Sequence, residues 1–149
     1  MAMAERRAQL VWQGDLRHGS GQLEVASGAF PAQTVTFSAR TEGADGKTSP
    51  EELIAAAHAA CFSMALSAGL AKAGTPPEEL ATSATVTFQP GEGITKIALT
   101  VEGSVPGLDA AGFDEAAKGA KENCTVSKPP ASVPELPLAA RLRASPARP

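Results

Sequence analysis

Tyrosine is absent from this chain, and only one tryptophan and five phenylalanines occur among its 149 residues. Reading nucleic acid by base stacking needs aromatic platforms, and a formal charge of −3 repels phosphate, so that class is excluded. A long uninterrupted apolar run is also missing. The nearest one, around Leu53–Ala71, is broken by His58, Cys61, Ser63 and Ser67 and ended by Lys72. A membrane-spanning helix needs ~20 mostly apolar residues, so the segment reads as a buried core helix, with no membrane partner expected. Basic residues near the start, Met1 to Arg7, lead into no apolar stretch, so no secretory signal is expected and the reading is cytoplasmic. Cysteine is scarce: there are two, and in a reducing compartment a thiol pair is more often catalytic, redox-active or metal-binding than structural.

What remains is a globular composition, 43% hydrophobic and 19% charged. The length suits one domain over residues 1–149, with Ser145–Pro149 expected to fray, and a chain of this size buries roughly two-thirds of its unfolded surface. There is no internal repeat and no low-complexity segment. Gln9–Gly14 and Gly21–Ser27 predict two short strands joined by a turn through Arg17 to Gly21. Gln33–Arg40 alternates, with Val35, Phe37 and Ala39 on one side, and predicts a third strand ending in Arg40.

The strongest local signal follows. Ser49 is placed as an N-cap, Pro50 at the first helical position and Glu52 at the capping-box position. The helix then runs to about Lys72, stopped by Gly74 and the Pro76–Pro77 pair, and its apolar character predicts burial on most sides. Ala84–Phe88 and Ile94–Val105 predict a hairpin turning at Pro90–Gly93. Asp109–Glu122 predicts an amphipathic helix with Phe113, Ala116, Ala117 and Ala120 on one stripe. Pro129, Pro130, Pro134 and Pro137 mark an irregular stretch, and Leu138–Ala144 predicts a last strand. The order βββ-α-ββ-α-β makes the fold α+β.

Few side chains here can do chemistry. Cys61 lies within the central helix and is either a small core residue or a reactive thiol. Cys124 ends the second helix; with Cys61 it could close a disulfide after oxidation, though a gap of 63 residues is no CxxC motif. His58 and Cys61 share a helix face, and with Cys124 or His18 they could bind zinc, but no short Cys/His cluster supports a metal. The plainer role for His58 is a hydrogen-bonded group at the helix surface. Arg40, or Arg17 in the first turn, could be merely solvated or could favour a thiolate nearby. Glu51 either serves the helix dipole or holds an arginine by bidentate bonds.

The segment FSARTEGADGKTSPEELIAAAHAACFSMALS, with the opening AQLVWQGDLRHGSGQLEVASG and the later TKIALTVEGSVPGLDAAGFDEAAKGAKENCTVSK, resembles the OsmC branch of the OsmC/Ohr family of organic hydroperoxide reductases. The resemblance covers nearly all of the chain. It implies antiparallel sheets packed around the central apolar helix, in an intertwined homodimer with sites at the subunit interface. It implies a cysteine-based peroxidase in which Cys61 is peroxidatic, Cys124 resolving, Arg40 the activator of the thiolate and Glu51 its orienting partner, with Arg17 as the alternative activator. It further implies an organic hydroperoxide substrate and a dithiol reductant of the dihydrolipoyl type, with no cofactor and no metal. One departure stands out: the family usually has Cys-Pro-Val-Ser where Thr125 follows Cys124 here. The rival reading is a non-catalytic dimer that binds a small molecule or metal.

A geometric expectation adds to this. Glu51 and Cys61 are ten positions apart on one helix, about 15 Å at ~1.5 Å per residue. An arginine held by Glu51 does not comfortably reach Cys61 of the same chain. Two antiparallel copies of the helix would bring Glu51 of one level with Cys61 of the other. The apolar residues beside Cys61, namely Phe62, Met64 and Leu66, suggest a greasy neighbourhood suited to alkyl hydroperoxides.

Overall fold

The computed structural model describes residues 3–127, 135 and 137–142 of the chain. Three antiparallel strands come first, β1 (Ala8–Gln13), β2 (Ser20–Val25) and β3 (Gln33–Val35), in the order β1-β2-β3. A short helix α1 (Phe37–Thr41) and the long helix α2 (Pro50–Lys72) follow, then the hairpin β4 (Glu79–Gln89) and β5 (Gly93–Ser104). Helix α3 (Ala110–Asn123) and a 3₁₀ turn (Thr125–Ser127) complete the elements among the described residues. The result is the expected α+β architecture, two antiparallel sheets and one long central helix.

The third strand is shorter than its alternation predicts, and Arg40 is not on it. Thr36 is still extended, and its hydroxyl accepts from Ala39 N at 3.1 Å as the N-cap that starts α1. Val35, Phe37 and Ala39 satisfied a period of two over too few residues to exclude a helical turn. Arg40 therefore sits in the last turn of a helix, where its charge suits the dipole.

Helix α2 starts and stops as its sequence predicts. Ser49 Oγ accepts from Glu52 N at 3.2 Å, with Pro50 in the first turn. Glu52 does not complete the capping box; its carboxylate takes the Thr48 hydroxyl at 2.6 Å instead. At the far end Thr75 N reaches Leu70 O and Gly74 N reaches Ala71 O, a Schellman pair that needs the left-handed φ of 91° at Gly74.

Burial of α2 differs from expectation. Within one chain only the stripe Glu51, His58, Phe62, Leu66 and Leu70 is buried. That stripe packs on β4 and α3. Ala56, Ala60, Met64 and Ala68 form an exposed stripe on another side, Met64 at 71%. The helix is long and apolar enough to cross a membrane, but its packed stripe carries Glu51 and His58 and makes it a core helix. Phe62 and Leu66 point into that core and Met64 points away, so the three do not form one greasy wall beside Cys61.

The core is built from Phe62, Leu66, Leu70, Ala120 and Cys124, with Leu80, Leu99, Val101 and Phe113 packed around it. Ser63 Oγ donates to Ala59 O at 2.8 Å and accepts from the Thr82 hydroxyl at 2.6 Å, tying α2 to β4. Helix α3 begins with Asp109 as N-cap and turns the expected stripe toward α2 and the core. Residues 138–142 form no strand; the rest of the expected last strand, the prolines at 129, 130 and 134, and the 145–149 tail lie outside the described residues.

Helix α3 approaches β5 closely at Gly103, where a Cβ would lie 2.7 Å from the Phe113 ring and 2.9 Å from Leu80. Gly103→Ala is expected to lower stability by about 1 kcal/mol, because the Phe113 ring and Leu80 must shift to admit the methyl. Denaturant unfolding measures it, and Phe113→Leu in the same chain should recover part of the loss. An unchanged midpoint in Gly103→Ala would show that the ring is free to move aside.

Candidate active site

The residues singled out in the sequence gather into two clusters at different heights of α2. The first surrounds Glu51 in the opening turn. Arg40 Nε donates to both carboxylate oxygens of Glu51, at 3.0 and 3.1 Å. The contact is one N–H shared between two oxygens, not the two parallel bonds of a fork. The guanidinium carbon also lies 4.0 Å above the centroid of the Phe88 ring, at the end of β4. Glu51 is buried and the Arg40 side chain about one-third exposed, at 32%. Among the described residues no acceptor meets the two Nη groups, so the outer edge of the guanidinium still has hydrogen-bond capacity. It borders an open cleft of about 300 Å³ lined also by Ala55, Thr85 and Val86.

The second cluster surrounds Cys61. Its Sγ lies 3.5 Å from Thr125 Oγ1. The Thr125 hydroxyl chiefly holds the thiol below its ordinary pKa; backbone groups of Val126 and Thr125 and the Cys124 thiol act the same way, against partial burial. Cys124 is the C-cap of α3 and only 1% exposed, while Cys61 is half-buried beside it. Both thiols are free. Packing α3 across α2 thus brings together two cysteines 63 residues apart.

His58, one turn before Cys61, is buried rather than on the helix surface. Its Nε2 is 2.7 Å from Ser127 Oγ, and its Nδ1 has no partner among the described residues. Burial, and then the positive charge of Lys121, hold its pKa below the ordinary histidine value. His18 stays in the β1–β2 turn, bonded to Asp15, and Arg17 is exposed there. Among the described residues no three His, Cys, Asp or Glu side chains converge to hold a metal.

Arg40 and Glu51 thus meet each other, and Cys61 meets Cys124, but the two pairs stay apart. Arg40 is not among the groups that acidify Cys61 within one chain. Sequence reasoning missed Phe88 as the plate under Arg40 and the tie from His58 to Ser127. It noticed Thr125 only as a departure. Long-range contacts between strand, helix and turn leave no local pattern to read.

A depressed His58 pKa has a stability consequence with a definite sign. The unfolded chain takes up a proton at His58 before the folded chain does, so stability falls as pH drops below about 6.5, the ordinary histidine value. His58→Gln should flatten that part of the stability-versus-pH curve in urea unfolding. An identical slope in parent and variant would assign the acid sensitivity to other groups.

The family model described as OsmC-like protein matches residues 43–130. The chain is 47% identical over 126 residues to peroxiredoxin OsmC of Escherichia coli, covering 83% of this chain and 87% of that protein. Among solved structures, an OsmC-like protein of Vibrio cholerae superposes with a TM-score of 0.64 at 18% identity, over 84% of this chain and 92% of that one. An organic hydroperoxide resistance protein OsmC of Legionella pneumophila gives 0.62 at 22% identity, over 85% and 89%. These two likenesses speak for the fold.

Proposed function

The chain belongs to the OsmC-like protein family, and we propose that it reduces organic hydroperoxides to alcohols with Cys61 as the peroxidatic thiol and Cys124 as the resolving one. At the coarser level its role is that of a cysteine-based peroxidase, an oxidoreductase. The observation that carries the finer reading is the meeting of an acidified, half-buried Cys61 thiol with the buried Cys124 thiol.

In the proposed cycle the Cys61 thiolate attacks the terminal oxygen of ROOH. The O–O bond breaks, RO⁻ leaves and takes a proton to become ROH, and Cys61 becomes a sulfenic acid. The Cys124 thiol then displaces water from that sulfenic acid to form a disulfide. A dithiol of the dihydrolipoyl type reduces it in two exchange steps, becoming a disulfide itself. Arg40, held by Glu51 and Phe88, presents its outer N–H groups to the thiolate and the peroxide.

That last role requires a second chain. Glu51 and Cys61 are about 15 Å apart along a straight helix, and Arg40 is bonded to Glu51 in its own chain. In the proposed twofold homodimer the exposed stripe Ala56, Ala60, Met64 and Ala68 is covered by a partner. The Arg40–Glu51 pair of one protomer then serves Cys61 of the other. Exposed Leu10, Val11 and Trp12 on β1 add apolar surface for the same interface.

Consumption of cumene hydroperoxide with dihydrolipoamide tests the chemistry. Cys61→Ser should abolish turnover. Cys124→Ser should abolish recycling yet still give one sulfenic acid per chain, trapped by dimedone. Loss of that first oxidation in Cys124→Ser, with its survival in Cys61→Ser, would reverse the roles. Mixing Cys61→Ser chains with Glu51→Ala chains tests the shared site. Heterodimers should regain about one working site, while each parent homodimer is poor. Heterodimers that form yet stay inactive would place Glu51 in its own chain's site.

A further inference from the structure

Thr125 directly follows Cys124, and its hydroxyl meets the sulfur of Cys61. We propose that Thr125 is a catalytic residue of this chain: its Oγ1 donates a hydrogen bond to the Cys61 thiolate from 3.5 Å and sets both its population and its nucleophilicity. The proposal rests on Cys61 being the peroxidatic thiol.

The direction of the bond follows from the charge state. A neutral thiol and a hydroxyl can each donate, but a thiolate can only accept, so ionisation of Cys61 commits the Thr125 proton to sulfur. The hydroxyl does not reach that position by chance of a loose loop. Its turn is anchored on one side by Cys124, buried and bonded from N to Ala120 O at 2.9 Å. On the other side Ser127 is held by His58 at 2.7 Å. The end of α3 thus holds one end of the 3₁₀ turn, and His58 of α2, one turn before Cys61, holds the other. Thr125 lies between the two grips, facing Cys61. A proline at this position would supply neither the hydroxyl nor a backbone N–H.

A donated hydrogen bond has two opposing effects on a nucleophilic thiol. It enlarges the thiolate fraction at neutral pH, and it draws electron density from the sulfur. With a Brønsted coefficient of about 0.4–0.5, each tenfold gain in thiolate fraction is accompanied by about a threefold loss of intrinsic reactivity. The net gain at neutral pH is then about threefold per tenfold. At pH well above the thiol pKa the sign reverses, because every thiol is already ionised and the bonded one is the weaker nucleophile.

Removing the hydroxyl should therefore produce rate profiles that cross. Alkylation of Cys61 by iodoacetamide is followed against pH in the dimeric protein, in a Cys124→Ser background so that one thiol reacts. Thr125→Val, which keeps the shape, should shift the profile to higher pH and react about threefold more slowly at neutral pH for each tenfold loss of thiolate. It should overtake the parent at high pH. Thr125→Ser, which keeps the hydroxyl, should retain the parent profile. Superimposable profiles in Thr125→Val and the parent overturn the proposal, and so does a serine variant that behaves as the valine one. Peroxide consumption by Cys61→Ser, measured separately, decides whether Cys61 is peroxidatic, so the two readings fail independently.

Discussion

A straight helix of 23 residues fixes the distance between a carboxylate and a thiol, and most of what the molecule does depends on that spacing. Glu51 sits in the first turn and Cys61 near the middle, about 15 Å on. No side chain bridges that gap while holding useful geometry at both ends. The chain instead completes each end separately. The N-terminal end gathers a cation from α1 and an aromatic ring from β4; the middle gathers a turn that follows α3. Each half is locally ordered, and each lacks what the other has. The same helix leaves a stripe of alanines and a methionine exposed, a surface that is costly in water at about 25 cal/mol per Å² of apolar area. One geometric fact and one solvation fact thus both support the proposed partner, a second copy of the chain.

In the proposed homodimer the two clusters divide the work of making a reactive sulfur. At the Cys61 end a neutral hydroxyl and backbone dipoles favour the thiolate over short distances. At the Glu51 end the guanidinium is held by a shared Nε–H bond and by the face of Phe88, which fixes its plane while leaving its outer edge open. Local dipoles act on every collision with the thiol. In the proposed homodimer the partner's cation would act only in the assembled site, where it would also meet the charge that develops on the departing alkoxide.

Much of the fold was legible because its signals are local. Ser49, Pro50, Gly74 and Pro76 bound α2 by chemistry that acts within four residues, and Asp109 does the same for α3. The hairpin was legible from Pro90–Gly93. Arg40 was misplaced on a strand because Val35, Phe37 and Ala39 alternate. Only the Thr36 side chain, folding back on Ala39, decides for a helix. The burial of α2 was overstated because apolar composition reports what could be buried, and one chain covers only one stripe. The candidate site was legible in its residues more than in its geometry. Cys61, Cys124, Arg40 and Glu51 each carry recognisable chemistry, but Phe88 and Thr125 gain theirs only from partners 48 and 64 residues away.

Exposure orders the second half of the proposed cycle. Cys124 is 1% exposed, sealed between α2 and α3, whereas Cys61 is half-buried. In a disulfide between them an incoming dithiol reaches the Cys61 sulfur and expels the Cys124 sulfur. Exchange rates depend on which sulfur is attacked and on access to it, and here access selects one. The dithiol's first sulfur would then be joined to Cys61, and its second would attack that first sulfur, closing the dithiol's own disulfide and releasing Cys61 as a thiolate. That leaving group is stabilised by the same Thr125 hydroxyl and backbone groups that acidify the resting thiol. Groups that make Cys61 available to a peroxide at the start of the cycle therefore also ease its departure at the end, while Cys124 never needs to leave the core.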